Sequence, residues 1–91
     1  MIIKCVCGSG LGSSLLLEMN VKTVLDSLGV DYQSVEHTNI SSFDQRGVDY
    51  VIVGADVAPV LDFPKDKMVV LKNILSKEEL TEKLKKLLNL K

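Results

Sequence analysis

The chain has 91 residues, 46% of them hydrophobic and 25% charged, a composition typical of a globular domain and not of a disordered segment. Eleven basic and twelve acidic side chains leave a formal net charge of −1, and aromatic residues make up only 4%. These values disfavour a nucleic-acid binder that depends on bulk charge or on base stacking. No apolar run reaches the roughly 20 residues of a membrane span, and the apolar start is too short for a signal peptide. We therefore expect one cytoplasmic domain over residues 1–91.

In the first half of the chain, short β-branched runs alternate with a helical stretch. Residues 2–6 form an apolar run that predicts a buried strand. Apolar residues at helical spacing predict a helix from residue 13 or 14 to residue 28, ended by Gly29. Residues 31–37 alternate weakly, which predicts an edge strand. Residues 38–47 are polar and are expected to form a loop with one short helical turn.

The second half repeats this alternation. Residues 49–53 give the strongest strand prediction, residues 56–61 predict a brief helix, and residues 67–71 predict a fourth strand. A capping box at residues 76–79 opens a last helix that reaches about residue 90. Its buried stripe is expected at Leu80, Leu84, Leu87 and Leu88, and its solvated face at Lys83, Lys85, Lys86 and Lys91.

Four strands separated by helices or crossovers predict an α/β fold. We expect a small, open, four-stranded parallel sheet in the order 2-1-3-4, with helices on both faces in three layers. In such sheets the ligand lies outside the carboxyl ends of the strands, where the strand order reverses. This rule selects residues 7–14, 37–39, 54–56 and 72–73.

The segment between the first strand and the first helix carries the strongest functional signal. Alternate glycines let backbone N–H groups approach a ligand closely, and the helix that follows presents unpaired N–H groups and the positive end of its dipole. Together these features predict a phosphate site, with a thiol at its mouth whose pKa the same field lowers. The predicted nucleophile is Cys7, which forms a covalent phosphocysteine. The predicted phosphate-binding residues are Gly8, Ser9, Gly10, Leu11, Gly12, Ser13 and Ser14.

Three other glycine-loop or cysteine-loop motifs fit less well. A nucleotide-hydrolysing P-loop requires a lysine, and none lies between Lys4 and Lys22. A dinucleotide fingerprint requires its third glycine one residue later than Gly12, although Glu36 resembles the ribose-binding acid. A cysteine phosphatase carries Cys-x5-Arg, and Ser13 stands at that last position, so the bidentate clamp on the phosphoryl group is missing. With no obvious acid beside the loop, we expect a phosphoryl group to be held and passed on, not quickly hydrolysed.

These residues resemble a known family. Cys7 at the end of a strand, the glycine–serine loop up to Ser14 and a helix running through Met19 to Val21 resemble the IIB component of the bacterial phosphoenolpyruvate-dependent sugar phosphotransferase system (PTS). The resemblance is to its lactose/cellobiose-type superfamily and spans essentially the whole chain. The pattern Cys-Gly-x-Gly-x-Gly-Ser-Ser looks most like the ascorbate-specific branch, although Leu11 stands where that branch often has a polar residue.

The resemblance implies a function and partners. Cys7 would accept a phosphoryl group from a phosphohistidine of the IIA protein (EIIA) and pass it to a sugar during uptake by the membrane permease (EIIC). The protein would then be a cytoplasmic phosphotransferase that associates peripherally with that permease and requires no cofactor. The alternative is a regulatory module that binds a phosphorylated ligand at the loop without chemistry.

Other residues near the loop have plainer interpretations. Cys5 is interpreted as a core residue, His37 as an exposed loop histidine, and Asp56 as the N-cap of the brief helix, with a contribution of either His37 or Asp56 to transfer left open. A metal site formed by Cys5, Cys7 and His37 lacks the spacing of known metal sites, so no metal is predicted. Leu15, together with Leu11, is a candidate for an exposed docking surface near the loop.

Overall fold

The computed structural model describes residues 1–7 and 11–89. Its strands are β1 (Ile2–Cys7), β2 (Ser34–Asn39), β3 (Tyr50–Gly54) and β4 (Met68–Leu71), and its α-helices are α1 (Leu11–Ser27) and α2 (Lys77–Leu87). Short 3-10 helices lie at Ile40–Ser42, inside the predicted loop, and at Lys65–Lys67. All strand pairs are parallel and the order is β2-β1-β3-β4, so the predicted sheet is confirmed.

The second strand begins three residues later than predicted. Its register with β1 pairs Ile2 with Ser34 and Cys7 with Asn39. The chain ahead of it is tied to the N-terminal residue, because Gln33 N donates to Met1 O over 2.8 Å. The ladder between β1 and β2 itself starts at Ser34 and continues to the end of β1.

One face of the sheet is covered by both α-helices. Leu17, Val21 and Leu25 of α1 and Leu80 and Leu84 of α2 are at most 1% exposed and pack on the same strand residues, and the two helices also contact each other. The strand residues of this face are Ile3, Cys5, Val35, Ile52, Val69 and Leu71. This apolar layer fixes α1 across β1 and β2, and therefore positions the start of α1.

The opposite face is covered by turns where the sequence predicts a helix. Residues 55–60 form hydrogen-bonded turns, with two helix-type bonds from Ala58 N to Gly54 O and from Leu61 N to Val57 O. Pro59 has no N–H to add a bond between these two, so the turns do not grow into an α-helix. The buried cluster on this face consists of Val6, Val51, Val53, Val57, Ala58, Leu61, Phe63 and Met68.

Helix α1 starts two residues earlier than predicted and ends as expected. Gly29 has a φ of +69°. Its N–H donates to Asp26 O over 3.2 Å and that of Val30 donates to Leu25 O over 3.0 Å, the pair of bonds that defines a Schellman cap. The early start places Leu11 and Gly12, predicted as loop, inside the helix.

Helix α2 has the predicted N-cap but not the full capping box. Ser76 accepts a hydrogen bond from Glu79 N over 3.2 Å, whereas the Glu79 side chain reaches past Ser76 to the backbone that follows β4. Lys83, which was predicted on the solvated face of α2, is bound to other groups of the protein. Its Nζ donates to Val70 O and lies 3.1 Å from Glu79 Oε2. The buried stripe at Leu80 and Leu84 is confirmed, with the last leucines partly buried.

Candidate functional site

The candidate site lies at the carboxyl edge of the sheet, where β1 passes into α1. β1 ends at Cys7 and α1 begins at Leu11, so only three residues connect them. Cys7 is paired with Asn39 at the end of β2, and the neighbour on its other side is β3, which ends at Gly54. In the sheet, β2 lies on one side of β1 and β3 lies on the other side. The strand order therefore reverses at β1, and the carboxyl end of β1 is the point where a ligand is expected.

The first turn of α1 supplies groups that suit an anion. In any α-helix the first-turn N–H groups lack an acceptor within the helix, and here they belong to Leu11, Gly12 and Ser13. The first turn of α1 contains no acidic residue, so its own side chains do not neutralise the positive end of the helix dipole. The backbone therefore offers directed donors and a favourable potential beside Cys7.

The predicted phosphate-binding loop lies partly outside the described residues. Gly8, Ser9 and Gly10 lie outside the described residues, as do the side chains of Cys7, Leu11 and Ser13. Ser14 is described: it is fully buried in the first turn of α1 and is engaged with a partner. Because α1 begins at Leu11, Ser14 is its fourth residue, so it lies inside the helix and is not its N-cap.

Cys5 is a core residue, as predicted. Its side chain is fully buried, and burial raises the pKa of its thiol to about 12, with a smaller contribution from the negative charge of Glu18. A thiol with this pKa is protonated at neutral pH and is therefore not a nucleophile. Among the described residues, no group of His, Cys, Asp and Glu side chains is arranged to hold a metal ion.

His37 lies within β2 and not in an exposed loop, which corrects the prediction for this residue. It is paired with Cys5 in the sheet, two positions before the end of β2. Its Nδ1 lies 2.8 Å from Glu18 Oε1, and its side chain is 31% exposed. The contact between Glu18 and His37 was not predicted, and the signal for Glu18 in the sequence is its spacing of four residues from Lys22, which favours an ion pair on a helix.

Asp56 is not the cap of a helix, contrary to its prediction. The N–H groups of Val57 and Ala58 both donate to Gly54 O, over 3.1 and 3.2 Å, so Gly54 stands at the capping position and Asp56 lies inside the turn. The Asp56 side chain folds back over Gly54: a Cβ atom at Gly54 would lie 2.7 Å from Asp56 Oδ1. This places a carboxylate at the carboxyl edge of the sheet, over the end of β3, which is the neighbour of β1.

The fourth predicted segment, residues 72–73, already binds an anionic group of the chain itself. Lys72 N and Asn73 N donate to the two carboxylate oxygens of Glu79 over 2.8 and 2.9 Å. These two bonds lower the pKa of Glu79 to about 2, helped by Lys83. The end of β4 is therefore filled by a side chain, and the candidate site narrows to the ends of β1, β2 and β3.

Exposed apolar side chains follow the candidate loop on the surface of α1. Leu15, Leu16 and Met19 are 44%, 49% and 55% exposed. Met19 lies four residues after Leu15 and three after Leu16, so it neighbours both on the helix surface. This exposed α1 patch agrees with the docking surface predicted at Leu15 and extends it by one further turn.

The fold and the edge geometry define an open α/β domain with a candidate anion site at the end of its first strand. The sequence matches the family described as PTS system, Lactose/Cellobiose specific IIB subunit, over residues 2–86. The chain belongs to this family, which has a phosphoryl-transfer carrier role in sugar uptake together with EIIA and EIIC partners. Comparison with curated proteins finds no significant match. Within the described residues, no helix has the length and apolar character needed to cross a membrane.

Proposed function

We propose that Cys7 is the residue that carries the phosphoryl group, and that the protein relays it from a phosphohistidine of EIIA to a sugar bound by EIIC. The single observation that carries the proposal is the short connection from β1 to α1, with Cys7 ending the strand and Leu11 opening the helix. Membership of the IIB family supports the relay chemistry. The buried, weakly acidic Cys5 leaves Cys7 as the cysteine suited to it.

The chemistry follows from the groups at this connection. In the charging step the Cys7 thiolate attacks phosphorus, an S–P bond forms, the N–P bond of the donor breaks, and its electron pair stays on the histidine nitrogen. The N–H groups of residues 8–14 are proposed to bind the phosphoryl oxygens, with the α1 dipole stabilising their negative charge. The same field favours the thiolate of Cys7 over its thiol.

The absence of an arginine at position 13 separates this proposal from phosphatase chemistry. Ser13 has no guanidinium with which to clamp the equatorial oxygens of a transferring phosphoryl group. The phosphoryl group is then bound by backbone donors and serine hydroxyls alone. Without the arginine clamp, the proposed phosphocysteine is passed to a partner and is not quickly hydrolysed. The chain is proposed to act as a protein-phosphohistidine–sugar phosphotransferase in the cytoplasm of a bacterium, at the inner face of the permease.

The proposal extends to the surface that binds EIIA and to the class of sugar that receives the phosphoryl group. EIIA is proposed to dock on the exposed α1 patch of Leu15, Leu16 and Met19, because these side chains adjoin the first turn of α1. The glycine–serine pattern of the loop supports a sugar of the ascorbate type. Leu11 departs from that branch, and the transported sugar is selected mainly by the permease.

Intact-mass spectrometry near neutral pH tests the proposal. The chain is incubated with phosphoenolpyruvate, the general phosphotransferase proteins and an EIIA protein of the lactose/cellobiose type. We expect a gain of one phosphoryl mass, about 80 Da, that is lost in Cys7→Ser and kept in the matched control Cys5→Ala. No gain with an EIIA protein that is itself phosphorylated, together with tight binding of free phosphate esters, would instead support a non-covalent binding module.

A further inference from the structure

The carboxyl edge holds an acidic side chain that this relay does not yet use. β1 and β3 are hydrogen-bonded neighbours, with Val6 paired to Val53, and they end one residue later at Cys7 and Gly54. Neighbouring strands lie about 4.8 Å apart. The carboxylate of Asp56 occupies the space over Gly54. It therefore lies at the end of β3, one strand from the end of β1 on one side and next to β4 and Ile74 on the other.

Gly54 is needed for this close approach. A Cβ atom at this position would lie 2.7 Å from Asp56 Oδ1 and 3.3 Å from Ile74 Cγ2. The backbone of Gly54 is not in the left-handed region, so its conformation does not require a glycine. The missing side chain instead makes room for the carboxylate, which is one of the uses of glycine at ligand sites.

The turn that carries Asp56 is anchored on both sides. Gly54 O accepts the N–H groups of Val57 and Ala58, and Ala55 N donates to Leu71 O of β4 over 3.0 Å. Asp56 itself is exposed and, within the part of the chain that the structure describes, has no hydrogen-bond or ion-pair partner. A carboxylate that is carried on an anchored turn, open to solvent and not neutralised by a cation is available to accept a proton.

We propose that Asp56 is the general base for the second half of the relay, in which a hydroxyl group takes the phosphoryl group from Cys7. The hydroxyl oxygen attacks phosphorus, an O–P bond forms, the S–P bond breaks, and its electron pair leaves on the Cys7 sulfur. The hydroxyl proton moves to the Asp56 carboxylate, which returns it to solvent. The charging step has no hydroxyl proton to remove, so Asp56 assists only the second step. This inference rests on the proposed role of Cys7.

The test measures the two steps separately in the full-length chain. The protein is charged as in the intact-mass experiment, freed of its donors and followed by mass as water, the simplest hydroxyl acceptor, removes the phosphoryl group. We expect Asp56→Asn to slow this loss by about 10²-fold, a typical contribution of a general base, and to leave the charging rate unchanged. Gly54→Ala, which displaces the carboxylate without removing it, is expected to slow the loss as well.

Asp66→Asn is the matched control. Asp66 is an exposed carboxylate in the 3-10 helix Lys65–Lys67, which precedes the start of β4 and so lies at the opposite edge of the parallel sheet from the end of β1. We expect its phosphoprotein to decay at the wild-type rate. Equal decay of Asp56→Asn and wild type, or an equal slowing of charging and decay in Asp56→Asn, would overturn the inference and leave the role of Cys7 intact. A wild-type chain that never gains the phosphoryl group would remove the proposed function and this inference with it.

Discussion

Glu18 and His37 join the first helix to the second strand, with 2.8 Å between Glu18 Oε1 and His37 Nδ1. Lys22 Nζ lies 3.2 Å from the other oxygen of Glu18, so the carboxylate is held from two sides. Burial alone would raise the pKa of Glu18, but the hydrogen bonds to His37 and Lys22 outweigh burial and lower it. The helix that opens at the candidate site is thus fastened to the strand beside Cys7.

Removing the charge of Glu18 is expected to weaken this attachment. We expect Glu18→Gln to lower the free energy of unfolding by about 1 kcal/mol at pH 7, the size of one partly buried hydrogen bond. Because folding lowers the pKa of Glu18, its contribution is present above the ordinary carboxyl range, near pH 4.5, and is lost as the pH falls further. Urea unfolding of wild type and Glu18→Gln at pH 7 and again below pH 4.5 checks this. Glu82→Gln, which changes an exposed carboxylate, is the control. Equal effects of the two substitutions at pH 7 would contradict the prediction.

Glu79 gives a second pH dependence, at the end of β4. Its pKa is held at about 2 by the N–H groups of Lys72 and Asn73, below the usual 4.5. Its stabilising effect is therefore complete above about pH 5 and disappears between about pH 4.5 and pH 2. We expect Glu79→Gln to be less stable than wild type at pH 7, and the difference to close over that acid range. Thermal unfolding across this range measures it, and Glu78→Gln, an exposed neighbour in the same helix turn, should show no such trend.

Cys5 is expected to be unreactive in the folded protein. With its pKa raised to about 12 by burial, its thiolate fraction at pH 8 is roughly 10³-fold below that of an ordinary cysteine. Iodoacetamide should leave Cys5 unmodified in a folded Cys7→Ser chain and alkylate it once urea unfolds the protein. Rapid alkylation of the folded variant would contradict the prediction, because it would show that β1 opens at its centre. Cys5 would then be a reactive thiol, and Cys5→Ala would no longer be an inert control in the intact-mass experiment.

The exposed α1 patch is expected to affect partner docking and not stability. We expect the double substitution Leu15→Gln and Met19→Gln to raise the EIIA concentration for half-maximal charging by about tenfold, because two apolar contacts are lost at an interface. Both side chains are about half exposed, so unfolding should change little. Val60→Gln, which alters an exposed apolar residue of the turn segment, is the control. If the double variant reached half-maximal charging at the same EIIA concentration as wild type, the docking surface would lie elsewhere.

The sheet was largely predictable because three of its strands, β1, β3 and β4, are short apolar runs bounded by glycines or polar residues. Residues 49–53 and 67–71 each fall within one residue of the observed strand, since a buried parallel strand is apolar on both faces. The start of β2 was not predictable in the same way. It depends on where β1 can pair with it, and that register is a tertiary property.

The candidate site was predictable at Cys7 and much less so around it. The glycine–serine loop indicates an anion site from its composition alone, whereas the Glu18–His37 contact requires the packing of α1 over β2. The position of Asp56 depends on a turn interrupted by Pro59, and the sequence pattern there favoured a helix. Local patterns identify groups with suitable chemistry, but only the fold shows which of them meet.

The contact between Lys83 and Val70 has a consequence for the behaviour of the protein at high concentration. β4 is the outermost strand on its side of the sheet, and Val70 O is a backbone acceptor that it presents outward. Exposed edges of this kind recruit strands from other molecules and begin aggregation. Here an ammonium group from α2 already binds that acceptor, so an incoming strand would have to displace a lysine and bring its own backbone against a positive charge. The edge is thereby protected from intermolecular pairing by a side chain of the same molecule.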